Sequence, residues 1–347
     1  MTKADRYAAA GVKLDTAEEA KRRIAELVRG TRTPLARGVV GGFGGMVRVP
    51  DGYKNAVLVM STDGVGSKVL VAVAAGVHDS VGEDLVNHSV NDILVHVATP
   101  LAFLDYIAAG TLVPEIAEQI VSGVARGCQA HGMTLAGGET AQMPDLYQPG
   151  HYDLAGSIVG VVEEDQALHG DRVTAGDQLI GLASTGLHTN GYTLARKIVF
   201  DTMQLGVDDS FPETTRSVRE VLLAVHRSYG AALRPVLADV HALAHVTGGG
   251  IAGNLVRVLP PNVEAVLDAG SWPWPSVFRV LMRSGQIGRD EMRRVFNLGV
   301  GMIAVSARDD VETVVRAAER AHVPAWIIGE IRPARTGAPA AVRFEER

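Results

Sequence analysis

Short apolar runs alternate along the chain with stretches in which apolar positions return every three or four residues. The two patterns predict strands and helices in turn. A charged stretch at Thr16–Arg29 predicts a helix, and a glycine-rich loop spans residues 38–50. Asn55–Ser61 reads as a buried strand, Val81–Val97 as a helix, Leu101–Ala108 as a strand, Pro114–Ala130 as a helix and Tyr152–Val162 as a strand. Residues 163–177 are polar and turn-rich and mark a boundary. Beyond it come a strand at Gln178–Ala183, helical stretches at Tyr192–Phe200, Ser217–Leu237 and Ile251–Leu259, a strand at Val300–Val305, a helix at Asp310–His322 and a strand at Ala325–Ile331. The tail is expected to add one edge strand. Strands and helices alternate in both halves, so the expected fold class is α/β (α+β) with two domains, residues 1–170 and 171–347.

Composition narrows this picture. Glycine contributes 39 of 347 residues, about 11% against a usual ~7%. Outside a collagen-like repeat, such an excess marks tight turns or close approach of a ligand to the main chain. The net charge of −6 and a pI near 6.0 argue against a nucleic-acid surface. The one cysteine, Cys128, allows no intrachain disulfide and no multi-cysteine metal site. No apolar run approaches the ~18 residues that suggest a membrane span, and the first residues lack the apolar core of a signal peptide. A soluble, cytoplasmic protein with no membrane partner is expected.

Several stretches hold residues suited to chemistry. Ser61–Lys68 follows a strand and sets an acid and a lysine five positions apart across two glycines. Carboxylates suit Mg²⁺, lysine neutralises phosphate, and glycines open the main-chain N–H groups, although a solvated turn has the same composition. On the helix Val81–Val97, Asp84, His88 and Asn91 share a stripe with Asp92 beside it, opposite Val86, Val90, Ile93, Leu94 and Val97. A face of Asp, His and Asn, poor in Lys and Glu, suits a site wall better than a solvated surface. Asp105 stands in an apolar strand, where a carboxylate must be paired, metal-bound or at an exposed end. Gly137-Gly138-Glu139-Thr140 suits a ligand at a strand end, or a helix start capped by Thr140. Ser184–Tyr192 and His245–Gly253 each carry a histidine with hydroxyl, amide or glycine neighbours. The second contains G-x-G-x-x-G without the context of a dinucleotide site, and there is no Walker A sequence. Mg²⁺-assisted phosphoryl transfer from a nucleotide uses these groups best.

In order, the chain carries Ala10-Gly11-Val12, GGFGG at Gly41–Gly45, TDGVGSK at Thr62–Lys68, DLVNHSVNDI at Asp84–Ile93, FLDY at Phe103–Tyr106 and GGETAQMPDLY at Gly137–Tyr147. Asp153–Gly156, GLHTNGY at Gly186–Tyr192, AHVTGGG at Ala244–Gly250, Glu291-Met292 and FNLGVGM at Phe296–Met302 follow. Through this ordered set the sequence resembles the phosphoribosylformylglycinamidine cyclo-ligase family, the aminoimidazole ribonucleotide synthetases of purine biosynthesis. The resemblance implies a ligase that closes formylglycinamidine ribonucleotide to aminoimidazole ribonucleotide, with ATP giving ADP and phosphate. The formyl amide oxygen would be phosphorylated, and the amidine nitrogen would then expel phosphate in an intramolecular attack. The implied fold has two α/β domains, with the N-terminal domains of two subunits pairing into a barrel-like homodimer.

Roles carried over by resemblance fall in both halves. Asp63, Asp92 and Glu139 would hold Mg²⁺ and the triphosphate, with K⁺ as a further candidate ion, and Lys68 would offset phosphate charge. The nucleotide would meet Gly42, Phe43, Gly44, Gly45, Thr62, Asp63, Gly64, Lys68, Asp84, Asp105, Gly137, Gly138, Glu139 and Thr140. Substrate would meet Ser184, Thr189, Asn190, Thr247, Gly248, Gly249 and Gly250. His188 or His245 would handle a proton or bind phosphate, with Lys68 and Asn190 completing the catalytic set. The chain departs from the family pattern at Gln142, where Glu is usual, at Asn87-His88-Ser89, where Ala-Met-Cys is usual, and at His226–Pro235, which replaces a common PTRIYVK stretch. Within the wider superfamily, the alternatives are other ATP-dependent oxygen-phosphorylating enzymes such as thiamine-phosphate kinase or the hydrogenase-maturation proteins. A non-catalytic nucleotide-binding scaffold is the alternative from another class.

Overall fold

The computed structural model describes residues 14–346, and Ala10-Gly11-Val12 lies outside them. The chain divides into two units, one formed by residues up to Ile93 together with Thr99–Glu163, the other by Leu94–Ala98 together with the chain from Glu164. The division therefore falls earlier than 170/171, and a short piece of the first half belongs to the second unit.

In the first unit, α1 (Leu14–Gly30) precedes a two-stranded ribbon, β1 (Ala36–Arg37) and β2 (Met46–Val47). The main sheet runs in the order β3 (Ala56–Gly64), β6 (Tyr152–Glu163), β4 (Thr99–Ala109), β5 (Thr134–Gln142). Only the β4–β5 pair is parallel, joined through α4 (Pro114–Ala130), while α2 (Val69–Ala75) and α3 (Asp79–Leu94) follow β3. The predicted helix Val81–Val97 starts and stops earlier than its pattern. Val97 adopts φ 67° and its N–H meets the Leu94 carbonyl at 2.8 Å, which closes the helix in a turn.

Along β6, Tyr152, Leu154, Gly156, Ile158 and Gly160 are buried and the residues between them are half-buried or exposed, the period-two signature of a sheet with one well-covered face. The expectation of a buried strand at Asn55–Ser61 fails. The strand is an edge strand, and Val57, Leu58 and Met60 are exposed, Met60 by 65%. An apolar run reports that a surface prefers to leave water, not that its own unit covers it. Helices α3 and α4 touch backbone to backbone. A Cβ on Gly82 would lie 2.1 Å from the Ile120 carbonyl oxygen, and one on Gly123 only 1.8 Å from that of Asp79.

The second unit holds a six-stranded sheet in the order β12 (Ala341–Glu345), β9 (Val263–Asp268), β11 (Ala325–Pro333), β7 (Gln178–Ala183), β10 (Val300–Ser306), β8 (Ala242–His245). All pairs are antiparallel except β12 with β9, so the tail adds the expected edge strand. Around it stand α5 (Tyr192–Arg196), α6 (Val218–Leu222), α7 (Gly230–Leu233), α8 (Gly250–Leu255), α9 (Ser276–Ser284), α10 (Arg289–Val295) and α11 (Val311–Arg320). Every residue of β10 is buried. Ile180, Leu182, Met302 and Ala304 enter one core with residues of α7 and α11, whereas Leu179, Ile303 and Val305 enter another with Ile251 and Leu255 of α8. A core on each face explains why these strands read as unbroken apolar runs.

Ser217–Leu237 is not one helix. It breaks after α6, runs without regular structure through residues 224–229, and resumes as α7 with a 3₁₀ turn at Arg234–Asp239. Two hydroxyls take carbonyls at the break: that of Tyr192, at the start of α5, donates to Leu222, and that of Thr185, in the loop before it, donates to Val225. The stretch Ile251–Leu259 is likewise shorter as an α-helix, ending at Leu255 before a 3₁₀ turn.

Candidate functional site

In the first unit, cross-strand register places Asp63, Gly156, Asp105 and Gly138 in one row, each paired with the next. Residues directly paired across strands share a face, so these two acids stand on one side of the sheet. The two glycines make room. A Cβ at Gly156 would fall 2.4 Å from the Phe103 ring, and one at Gly138 would fall 2.2 Å from Asp105 Oδ1. Ser61, two residues from Asp63, donates at 2.9 Å to Asp63 Oδ2 and at 3.1 Å to Asp92 Oδ2 of α3. His88, one turn before Asp92, sets Nε2 at 3.4 Å from Asp63 Oδ1 and 3.7 Å from Asp92 Oδ2. Burial pushes the His88 imidazole down. The hydrogen bond to Asp63 and the charges of Asp92, Asp63 and Asp84 outweigh it and hold the pKa above its usual value.

The structure thus joins Asp63 and Asp92 but does not bring Glu139 to them. Glu139 pairs with Tyr106 in the adjacent row, on the opposite face of the sheet, because successive strand residues alternate sides. Within this unit the expected three-acid set is a two-acid set with Ser61 and His88. Thr62 also faces away from Asp63, its hydroxyl 2.7 Å from that of Ser157. The helix start at Thr140 is absent too, since Gly137–Gln142 continues β5. Lys68 is not open to a ligand as drawn from the sequence. Its ammonium lies 2.7 Å from Asp84 Oδ2 with both side chains at 0% exposure. Burial drives the Lys68 pKa down, against the attraction of Asp84. Desolvation raises the Asp105 pKa to about 7, against the pull of a main-chain hydrogen bond. Loop residues Gly42, Phe43, Gly44 and Gly45 are exposed, and Phe43 is fully so.

In the second unit two loops meet. The first leaves β7 at Ser184, whose hydroxyl reaches the Gly186 carbonyl at 2.9 Å and Asn297 Oδ1 at 3.1 Å. Asn297 returns a bond to the Gly186 carbonyl and accepts from the Gly299 N–H, so the FNLG segment braces this loop. His188, at φ 61°, is turned inward and is 1% exposed. The Thr185 N–H donates to its Nε2 at 3.2 Å. The second loop leaves β8 at His245 and runs through Thr247–Gly250. Asn254 ties it down through the Gly248 and Gly250 carbonyls. Gly250, at φ 67°, leaves no room for a side chain, since a Cβ would stand 1.9 Å from the Arg293 carbonyl oxygen. Asn190 Oδ1 would lie 3.5 Å from a Cβ at Gly248, so the two loops are neighbours.

Sequence reasoning marked Ser61 and His88 only as members of candidate stretches, without a role, and did not nominate Asn297 or His226. His226 is buried, and its Nε2 lies 3.1 Å from His245 Nε2. The only sequence sign of it was the departure at His226–Pro235.

Residues 41–162 match the family described as AIR synthase related protein, N-terminal domain, and residues 174–339 match its C-terminal domain. A phosphoribosylformylglycinamidine cyclo-ligase of Trichlorobacter lovleyi is 45% identical over 94% of each chain. The chain belongs to the phosphoribosylformylglycinamidine cyclo-ligase family. Cyclo-ligases of Sorangium cellulosum, 46% identical over 94% of each chain, and Symbiobacterium thermophilum, 46% identical over 97% of each, are similar to the same extent. Among solved structures, the cyclo-ligase fold is matched by thiamine-monophosphate kinase from Stenotrophomonas maltophilia, with TM-score 0.69, 20% identity and coverage of 94% of this chain and 97% of that one. The hydrogenase maturation protein HypE in complex with ATP gives TM-score 0.63 at 17% identity, covering 94% and 91%. These last two likenesses speak to the fold alone.

Proposed function

We propose that this chain catalyses the ATP-dependent cyclisation of formylglycinamidine ribonucleotide to 5-aminoimidazole ribonucleotide in purine biosynthesis. The observation that carries this reading is the 45% identity to a cyclo-ligase over 94% of both chains. An amide oxygen leaves poorly. Transfer of the γ-phosphoryl group of ATP to the formyl amide oxygen makes it part of a phosphate leaving group. The amidine nitrogen then attacks the same carbon, the C–O bond breaks, and phosphate departs with that oxygen. The nitrogen must shed a proton on the way, which suits His188 or His245 as acceptor.

Asp63 and Asp92 offer hard oxygen donors on neighbouring elements, and Mg²⁺ is commonly held by one or two carboxylates together with nucleotide phosphates. When bound, the ion would neutralise charge on the transferring phosphoryl group. Ser61 orients both carboxylates. His88 Nε2 sits beside both carboxylates, which raise its pKa, and it must share them when an ion binds. In the second unit the backbone of Thr247–Gly250 and the side chain of Asn190 suit the ribose phosphate and the amidine.

The exposed apolar edge strand supports self-association. Leu58, Met60 and Leu104 share the open face of the four-stranded sheet, and covering them through a second copy would remove that surface from water. We take the active species to be a cytoplasmic homodimer.

Incubation of the purified protein with ATP, Mg²⁺ and formylglycinamidine ribonucleotide should release aminoimidazole ribonucleotide and ADP in equal amounts. Absence of product while ATP binding is demonstrable would reject the reading.

A further inference from the structure

Three histidines of the second unit, His188, His226 and His245, are buried together, with exposures of 1%, 0% and 6%. One ring nitrogen from each lies within 4.8 Å of the others, a spacing that invites a metal ion. Ring geometry decides against that. His188 and His226 stack with centroids 3.9 Å apart and planes 24° apart. Imidazole lone pairs lie in the ring plane, so two stacked rings send them out in nearly parallel layers rather than toward one ion at ~2 Å. The Thr185 N–H also takes up His188 Nε2.

The His226–His245 contact is of another kind. Their planes meet at 61°, edge toward ring, and the two Nε2 atoms are 3.1 Å apart. Two ring nitrogens at that distance share one proton. Two lone pairs or two N–H groups would repel, so one ring carries hydrogen on Nε2 and the other offers its lone pair. On its far side, His226 Nδ1 faces the Thr189 hydroxyl at 3.4 Å, a group able to donate or accept. His226 therefore touches each candidate proton-handling histidine, one through its face and one through its edge. It reaches this place because the chain leaves helical geometry between α6 and α7.

We propose that His226 is a positioning residue for the cyclisation: stacked on His188 and hydrogen-bonded to His245, it fixes the orientation of the first and the tautomer of the second. The proposal rests on the cyclo-ligase reading for its consequence but not for its geometry. His226 lies within the segment where this chain departs from the common family pattern, so the device belongs to this chain and to relatives with histidine at the same place.

Two measurements test it. In the wild-type protein with ¹⁵N-labelled histidine, imidazole spectra should show one protonated and one unprotonated Nε2 joined by a scalar coupling across the N–H···N bond. Absence of that coupling in the folded protein overturns the proposal. In turnover assays, His226→Leu should lower kcat by roughly tenfold or more with KM for both substrates little changed, since a positioned acid–base group contributes ~10²- to 10⁴-fold in all. His226→Gln, which keeps an amide hydrogen-bonding group at the end of the side chain, should recover most of the loss. Equal losses in the two variants would assign a packing role and overturn it. Stoichiometric Zn²⁺ uptake that depends on His226 would also overturn it, in favour of a metal centre. Should the wild-type protein make no aminoimidazole ribonucleotide, the functional reading falls, while the coupling still decides the pairing.

Discussion

The polar cluster of the first unit is built from carboxylates. Asp63 and Asp92 keep 30% and 26% of their side chains exposed, and a histidine and a serine hold them together. The cluster of the second unit is built from imidazoles that are almost wholly buried and held by stacking, a main-chain N–H and one another. Carboxylates can remain ionised only where water, a cation or donors reach them, so the acid cluster sits at the rim of a sheet whose helical cover leaves it a way out. Neutral imidazoles lose far less on burial, and burial fixes their tautomers and excludes competing proton donors. Under the proposed function the two clusters divide the chemistry accordingly: charge is met in one unit, protons in the other.

The largest expected effect tests whether the first unit's charges are all of one kind. Lys68→Met should cost ~3–5 kcal/mol of stability, because it strands Asp84 as a buried charge. The double variant Lys68→Met with Asp84→Leu should regain most of it in chemical denaturation. If the single variant unfolds at the wild-type midpoint, the pair is not structural and Lys68 returns to the phosphate-binding set. Next, Asp63→Asn should lower kcat by roughly 10²-fold or more, about 2.7 kcal/mol in the barrier, with little change in Tm. Turnover near the wild-type rate would remove the distinction between an acid half and an imidazole half.

The smallest effect concerns Asp105. Its pKa is raised from 3.8 to about 7 in the folded chain. Between those values the folded state keeps a proton that the unfolded state has lost. Its contribution to stability is therefore full below the unfolded value and is lost as pH rises through about 7. Asp105→Asn should flatten that part of the Tm-against-pH curve and raise Tm at pH 8 relative to wild type. Parallel curves for the two proteins would show the carboxyl to be solvated after all.

Much of the second unit was legible, for a physical reason. Strands covered on both faces, such as Gln178–Ala183 and Val300–Ser306, are continuous apolar runs and announce themselves. Asn55–Ser61 announces itself in the same letters but is an exposed edge, since composition cannot say whether the covering surface belongs to the same unit. The break after Leu222 was illegible because hydroxyls of Thr185 and Tyr192, distant in sequence, capture the carbonyls there. Residue types marked the loops around Asp63, His188 and His245, and the structure gathers those residues into two polar clusters. Glu139 misled because type and spacing do not reveal which face of a strand a side chain takes. His226 was hidden because a lone histidine in an apolar helix-like stretch has no pattern; only its neighbours in space give it meaning.

The contact of α3 with α4 through Gly82 and Gly123 has a consequence for how this chain can change. At Gly82 and Gly123 main chain meets main chain, and at Gly127 the Val86 side chain lies on bare backbone, so none of the three glycines can be traded for a larger residue. Most cores drift by such exchanges, and the elements they carry shift by fractions of an ångström as they do. Here α3, which presents His88 and Asp92, is held against α4 at glycines that leave no room for a larger side chain. Its reach toward Asp63 is more readily retuned from the strand side or by altering the acids themselves. A designer wishing to move the acid cluster would do better to edit β3 than to repack the helices behind it.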